Sequence, residues 1–217
     1  MNKITFNQIK AILFDLDGTL WNEQPFKKLA LKELFYSIAK KNKITIKKAQ
    51  EIFEKYILEA ERKGIVYNWV TVFKQLGDLS YIDILKKQKK LIRPYPYVKR
   101  TLSYLNKKYI CAIVTDGARD YTLLKLHFLS LIRYFSLIVT TDDTHSMKPS
   151  PRPYFFALNK LKLDPKDCLV VGDQPKDVIS GKSAGMFTAL IKTRRFKPDI
   201  AKPDIIISSI KSLLRIL

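Results

Sequence analysis

The sequence predicts an α/β protein: a doubly wound parallel sheet with helices on both faces and a small helical domain inserted into it. Three observations predict it. Short apolar runs end abruptly in polar residues, helical patterns alternate with those runs, and one roughly 70-residue stretch holds helical patterns and no strand.

The runs are Ala11-Ile12-Leu13-Phe14, Ile110-Cys111-Ala112-Ile113-Val114, Leu137-Ile138-Val139, Leu169-Val170-Val171, Thr188-Ala189-Leu190-Ile191 and Ile205-Ile206-Ile207. Their apolarity is continuous rather than alternating, which marks strands covered on both faces. Between them, helices are expected over Tyr97 to Lys107, Tyr121 to Leu129, Pro153 to Leu161 and Lys176 to Ala184. Strand-helix alternation of this kind builds a parallel sheet.

The rhythm breaks between Leu20 and Ile92, where helical segments are expected near Gln24 to Lys40, Ile46 to Arg62, Asn68 to Leu76 and Ile82 to Leu91. That is too much chain for one crossover helix, so residues 21–91 are read as a helical cap over the sheet edge. Pro94 and Pro96 mark the return, giving an α/β core of residues 1–20 and 92–217.

Composition is that of an ordinary folded chain: of 217 residues, 47% are hydrophobic and 28% charged, and 7 Gly and 10 Pro exclude a low-complexity or collagen-like chain. Met1 to Lys10 is polar and lacks the apolar run of a signal peptide. Apolar stretches break after about eight residues, short of the roughly 20 a membrane helix needs, so a cytoplasmic protein without membrane contact is expected. Cys111 and Cys168 sit inside strand-like runs and read as buried free thiols. The net charge of +20, from 40 Lys+Arg against 20 Asp+Glu, favours anionic partners. Its lysines fall in helix-face pairs such as Lys40-Lys41 and Lys47-Lys48, the pattern of a solvated face, so nucleic acid is not the favoured partner.

Ligands of such a sheet bind at the carboxyl ends of its strands. The first strand runs into Asp15-Leu16-Asp17-Gly18-Thr19. Residues i and i+2 of an extended chain point the same way, so both carboxylates face one spot and call for a neutralising cation. Gly18 lets the chain turn sharply away. The second strand ends in Thr115-Asp116-Gly117, where a hydroxyl and the following backbone N–H groups can bind phosphate oxygens. Lys148 lies in a loop stiffened by Pro149, Pro151 and Pro153, which limits the entropy lost in fixing its ammonium. The fourth strand ends in Gly172-Asp173, and Asp173 with Asp177 can ligate a hard cation or cap the next helix.

These motifs, Asp15-x-Asp17-Gly18-Thr19, Thr115, Lys148 and Gly172-Asp173-x-x-x-Asp177, occur in the order of the haloacid dehalogenase-like hydrolase superfamily, which the chain resembles over nearly its whole length. The resemblance implies a Rossmann-like core and, with the insertion after the first motif, the phosphatase group that includes phosphoglycolate phosphatases and β-phosphoglucomutase. It implies Asp15 as nucleophile, Asp17 as general acid and base, and Mg2+ held by Asp15, the Asp17 carbonyl and Asp173. Thr115, Asp116, Gly117 and Lys148 would bind phosphate, and Asp177 would complete the metal shell or orient Lys148. The expected function is magnesium-dependent hydrolysis of a small phosphorylated metabolite, by a monomer or homodimer.

Asp17 argues against a dehalogenase, because a halide leaves without a proton and an alkoxide does not. A phosphomutase of the same family stays open, as does a nucleic-acid-directed phosphatase or binding protein. Substrate selection is assigned to residues near expected cap turns, Trp21, Arg62, Tyr67, Asn68 and Trp69, and to Arg119 beyond the second motif. His127 and His145 are given no role.

Overall fold

The computed structural model describes residues 6, 8–192 and 201–217, so most of the polar stretch before Lys10 lies outside the described residues. Among the described residues, six parallel strands form one sheet: β1 (Ala11–Phe14), β2 (Ile110–Val114), β3 (Leu137–Val139), β4 (Cys168–Gly172), β5 (Phe187–Ile191) and β6 (Ile205–Ile207). The order is β3-β2-β1-β4-β5-β6. The chain leaves β1 toward β2 and β3, then crosses back to place β4 on the other side of β1. The switch point of this doubly wound sheet therefore lies between β1 and β4, where such sheets bind ligands.

The continuous apolarity of the inner strands follows from burial on both faces. Ile12 and Phe14 of β1, with Ile113 and Val171, join one core; Ala11 and Leu13, with Val114 and Val170, join the other. Cys111 belongs to the first core and Cys168 to the second, and both are free thiols. Burial pushes each thiol up to about 12, so both stay protonated hydrophobes.

Helices α1 (Gln24–Asn42), α2 (Ile46–Arg62), α3 (Trp69–Gly77) and α4 (Tyr81–Lys87) fill the insertion between β1 and β2. Thr45, Asn68 and Ser80 supply the side-chain oxygens that cap α2, α3 and α4. The last of these helices stops at Lys87, not Leu91, because Lys89–Leu91 tightens into a 3-10 turn. Aromatic contacts bind the insertion together: Phe53 stacks on Trp69 at 6.1 Å, and the Phe73 and Tyr81 rings lie 4.4 Å apart. The two connections to the sheet run side by side, since Trp21 bridges Pro94 and the Tyr95 N–H donates to the Leu20 carbonyl at 3.0 Å.

After the return come α5 (Val98–Leu105), α6 (Arg119–Leu129), the single turn α7 (Thr141–Thr144), α8 (Arg152–Leu161), α9 (Pro175–Ser183) and α10 (Leu213–Ile216). Among the described residues, no helix is long and apolar enough to cross a membrane.

Candidate active site

Asp15 is the first residue past β1, and its N–H extends the ladder by donating to the Val171 carbonyl at 2.9 Å. Its side chain is buried, and Oδ1 accepts from the Lys148 ammonium at 2.6 Å. The same ammonium donates to Asp177 Oδ1 at 2.6 Å and to the Val114 carbonyl at 3.2 Å, which uses all three of its protons. Asp177 also shapes the backbone, because its other oxygen accepts from the Gln174 N–H at 3.0 Å and closes a capping box at the start of α9. Asp177 thus caps α9 and bonds the Lys148 ammonium at once.

The Thr19 hydroxyl lies 3.2 Å from both Asp15 Oδ2 and Asp173 Oδ1. It reaches them because Gly18 turns the chain with φ at +89°, and a Cβ there would meet Asp173 Oδ2 at 2.4 Å. Asp15, Asp173 and Asp177 offer oxygens that lie within 4.8 Å of one another. Burial, then the neighbouring acids, raise Asp15 well above the usual carboxylate range against the pull of Lys148. Burial and Asp177 push Asp173 up to about 7. Burial opposes the charge on Lys148, but Asp15 and Asp177 hold it well above the ordinary lysine value. One ammonium does not balance three carboxylates, and hard oxygen donors clustered this way suit a divalent cation.

Thr115 is buried beside this cluster, and its hydroxyl accepts from the Gly117 N–H at 3.3 Å. Asp116 braces the loop: one oxygen accepts from the Lys148 N–H at 2.9 Å, the other from the Lys176 ammonium at 2.8 Å. Burial works against the Asp116 charge, yet Lys148 and Lys176 hold it below the usual range.

Above these residues opens a cavity of about 400 Å³, floored by Asp15, Asp17, Thr115 and Gly117 and walled by the helical insertion. Tyr67, Asn68 and Trp69 line it. The Tyr67 hydroxyl donates to Glu61 at 3.0 Å; burial, then Glu61, lift it to about 12. Glu23 and Lys27 also face the cavity, 3.7 Å apart, with the Lys27 ammonium 4.9 Å from the Trp69 ring centre.

Three expected specificity residues are not brought there. Trp21 is fully buried, and its indole N–H donates to Asp17 Oδ1 at 2.7 Å, so it braces the site from beneath. Arg62 is exposed at the last turn of α2 and does not line the cavity. Arg119 turns to the sheet edge, drawn by the Asp143 carboxylate and by the Ile138 carbonyl at 3.3 Å. His127 and His145 are exposed.

Sequence reasoning passed over Lys125, Lys176 and Glu23. Lys125 is fully buried and grips both Asp17 oxygens, at 2.6 and 2.5 Å. Its signal was present: Tyr121, Thr122, Lys125, Leu126 and Leu129 make the buried stripe of α6, with a lysine at its centre.

A model of the haloacid dehalogenase-like hydrolase family matches residues 12–191, more than four fifths of the chain. The protein belongs to that family. Within it, the phosphoglycolate phosphatase of Aquifex aeolicus is 30% identical over 215 residues, covering 96% of this chain and 97% of that one. Pyrophosphatase PpaX of Oceanobacillus iheyensis is 28% identical, covering 96% of both. A crystal structure of a haloacid dehalogenase-like phosphatase from Thermococcus onnurineus superposes with a TM-score of 0.86 at 30% identity, over 96% of this chain and 97% of that chain.

Proposed function

We propose that the protein is a magnesium-dependent phosphatase that hydrolyses small phosphate monoesters by way of a phosphorylated Asp15. One observation carries the reading: a buried carboxylate gripped by an ammonium, Asp15 with Lys148, opens onto the cavity beside Thr115 and Asp17. Its relatives named for phosphatase and pyrophosphatase activity support phosphoryl transfer as the chemistry.

The acidic cluster fits Mg2+, since it offers hard oxygens within 4.8 Å of one another and more negative charge than Lys148 offsets. Asp15, Asp173 and the Asp17 carbonyl would hold the ion, with Asp177 kept for Lys148 and the α9 cap. Once bound, it would offset the repulsion between the Asp15 carboxylate and an incoming phosphate.

The chain's own groups do the rest. An Asp15 oxygen bonds to phosphorus while the ester oxygen departs with the bonding pair, splitting one hard displacement into two easier ones. Asp17 delivers a proton to that oxygen and then takes one from the water that attacks the aspartyl-phosphate. Lys148 and the Thr115 hydroxyl meet the oxygens of the transferring group, where fixed donors act most strongly away from water. We read the insertion, residues 21–91, as a cap that shuts water from the cavity and selects the substrate through Tyr67, Asn68 and Trp69. Its Phe53 and Trp69 wall favours a leaving group with an apolar or aromatic face.

The test is p-nitrophenyl phosphate hydrolysis with magnesium, with EDTA, and by Asp15→Asn. Turnover lost in EDTA and in the variant is expected. Turnover that survives both would overturn the reading.

A further inference from the structure

Asp17 does not hang free in the cavity. Both its oxygens accept from the Lys125 ammonium, at 2.6 and 2.5 Å, and Oδ1 also accepts from the Trp21 indole at 2.7 Å. Lysine is almost never fully buried unless paired, yet the Lys125 side chain has no exposure at all. Aromatic faces help to hold it there: Nζ lies 4.2 Å from the Tyr121 ring centre and 5.8 Å from that of Trp21. The Tyr121 hydroxyl in turn lies 3.4 Å from that of Tyr81 in α4, so the group sits where α6 meets the helical insertion.

A charge pair kept only to brace a fold is poorly explained, because apolar residues of the same volume serve as well or better. This pair also has a specific address. Its acid is a quarter exposed, lines the cavity and stands two residues from Asp15. We propose that Lys125, assisted by Trp21, is a positioning residue for proton transfer by Asp17. The proposal rests on the phosphatase reading above and adds a partner to its acid.

The chemistry needs such a partner at one moment. As the Asp15 oxygen bonds to phosphorus, the bond from phosphorus to the ester oxygen breaks and that oxygen keeps the electron pair. It takes a proton from the Asp17 carboxyl, and the negative charge moves onto Asp17. Lys125 meets that charge with two aligned N–H donors and keeps its own protons throughout. Its two-point grip and the indole N–H also fix where the carboxyl stands, and a small misplacement of a catalytic group costs heavily. The contact is therefore worth most for esters whose leaving oxygen must be protonated.

Leaving-group dependence separates this role from bracing. The experiment compares kcat/KM of wild type, Lys125→Met and Trp21→Phe on phenyl phosphate and on 2,4-dinitrophenyl phosphate, whose leaving group departs without a proton. kcat/KM reports the transfer to Asp15 and not the later hydrolysis. For Lys125→Met a fall of about 10- to 100-fold on phenyl phosphate is expected, with less than about 3-fold on the activated ester. Trp21→Phe, which removes the N–H and keeps a ring, should show the same selective loss at smaller size, and Lys125→Arg should recover part of it.

Equal losses on both esters, or none, would make Lys125 a brace and overturn the proposal. If Lys125→Met does not fold, Trp21→Phe decides alone. Wild-type protein inert toward both esters would instead overturn the phosphatase reading, and this inference with it.

Discussion

Replacing Lys148 by methionine keeps most of the side-chain volume and removes the charge. In the native site its ammonium sits 2.6 Å from both Asp15 and Asp177, fully shielded from water. Without it, three carboxylates with oxygens inside 4.8 Å face each other and, among the described residues, no other cation is bonded to Asp15 or Asp177. At an effective dielectric near 20, two unit charges at that separation repel by about 3.5 kcal/mol. That repulsion exists in wild type too, where the ammonium offsets it; breaking a buried ion pair from one side leaves it uncompensated and costs about 3–5 kcal/mol.

For a chain of this length that loss lowers Tm by about 6 to 20 °C. The sign with pH follows from linkage. Burial and its acidic neighbours already raise Asp15 and Asp173, and losing the ammonium raises them further. The folded variant then binds more protons than the unfolded chain, so its deficit is largest at high pH and shrinks as pH falls. Thermal melts of both proteins across pH 5 to 9, each with and without magnesium, measure this. Magnesium should return part of the lost stability. A variant melting within about 2 °C of wild type at pH 8 in EDTA would refute the electrostatic reasoning.

Three further outcomes are expected. Gly18→Ala places a Cβ 2.4 Å from Asp173 Oδ2 at a φ of +89°; about 1–2 kcal/mol of strain and a displaced Asp173 should raise the magnesium needed for half-maximal activity about tenfold, read by titration. Trp69→Ala removes half of the ring stack in the cavity wall, which should raise KM for aryl phosphates about 3- to 10-fold and leave glycerol phosphate unchanged. Asp204→Asn weakens the contacts of Asp204 with the Thr188 N–H, the Thr188 hydroxyl and Lys182. Because Lys182 is partly exposed, a loss of about 1 kcal/mol is expected at pH 7 in urea melts. The folded carboxylate titrates below its usual value, so wild type's advantage should be whole at neutral pH and vanish as pH falls through that lower value.

The strands were legible as apolar runs because the inner strands are buried on both faces, with Thr188 of β5 the one polar residue inside them, and the edge strands β3 and β6 are apolar though only partly buried. Ala11–Phe14, Ile110–Val114, Leu137–Val139 and Ile205–Ile207 coincide with the apolar runs. The acids stood out by position, since Asp15 follows directly on the first run and Asp173 follows the fourth after a single glycine, directly past β4. Side-chain direction was not. Trp21, Arg62 and Arg119 stand near turns facing the right end of the sheet, and nothing local tells a side chain in the cavity from one beneath it or beside it. Arg119 is turned by Asp143, whose position depends on α7. Lys125 escaped notice because lysine reads as surface by default, and the stripe that buries it is visible only once α6 is laid against Asp17.

The central claim, that Asp15 carries the phosphoryl group, is tested most directly by trapping it. Enzyme mixed with magnesium and p-nitrophenyl phosphate is quenched in acid within the first turnover, digested, and its peptides are weighed. One phosphoryl group is expected on the peptide that contains Asp15, removed by hydroxylamine and absent from Asp15→Asn. Full turnover with no phosphorylated peptide, or with the group on another residue, would contradict it.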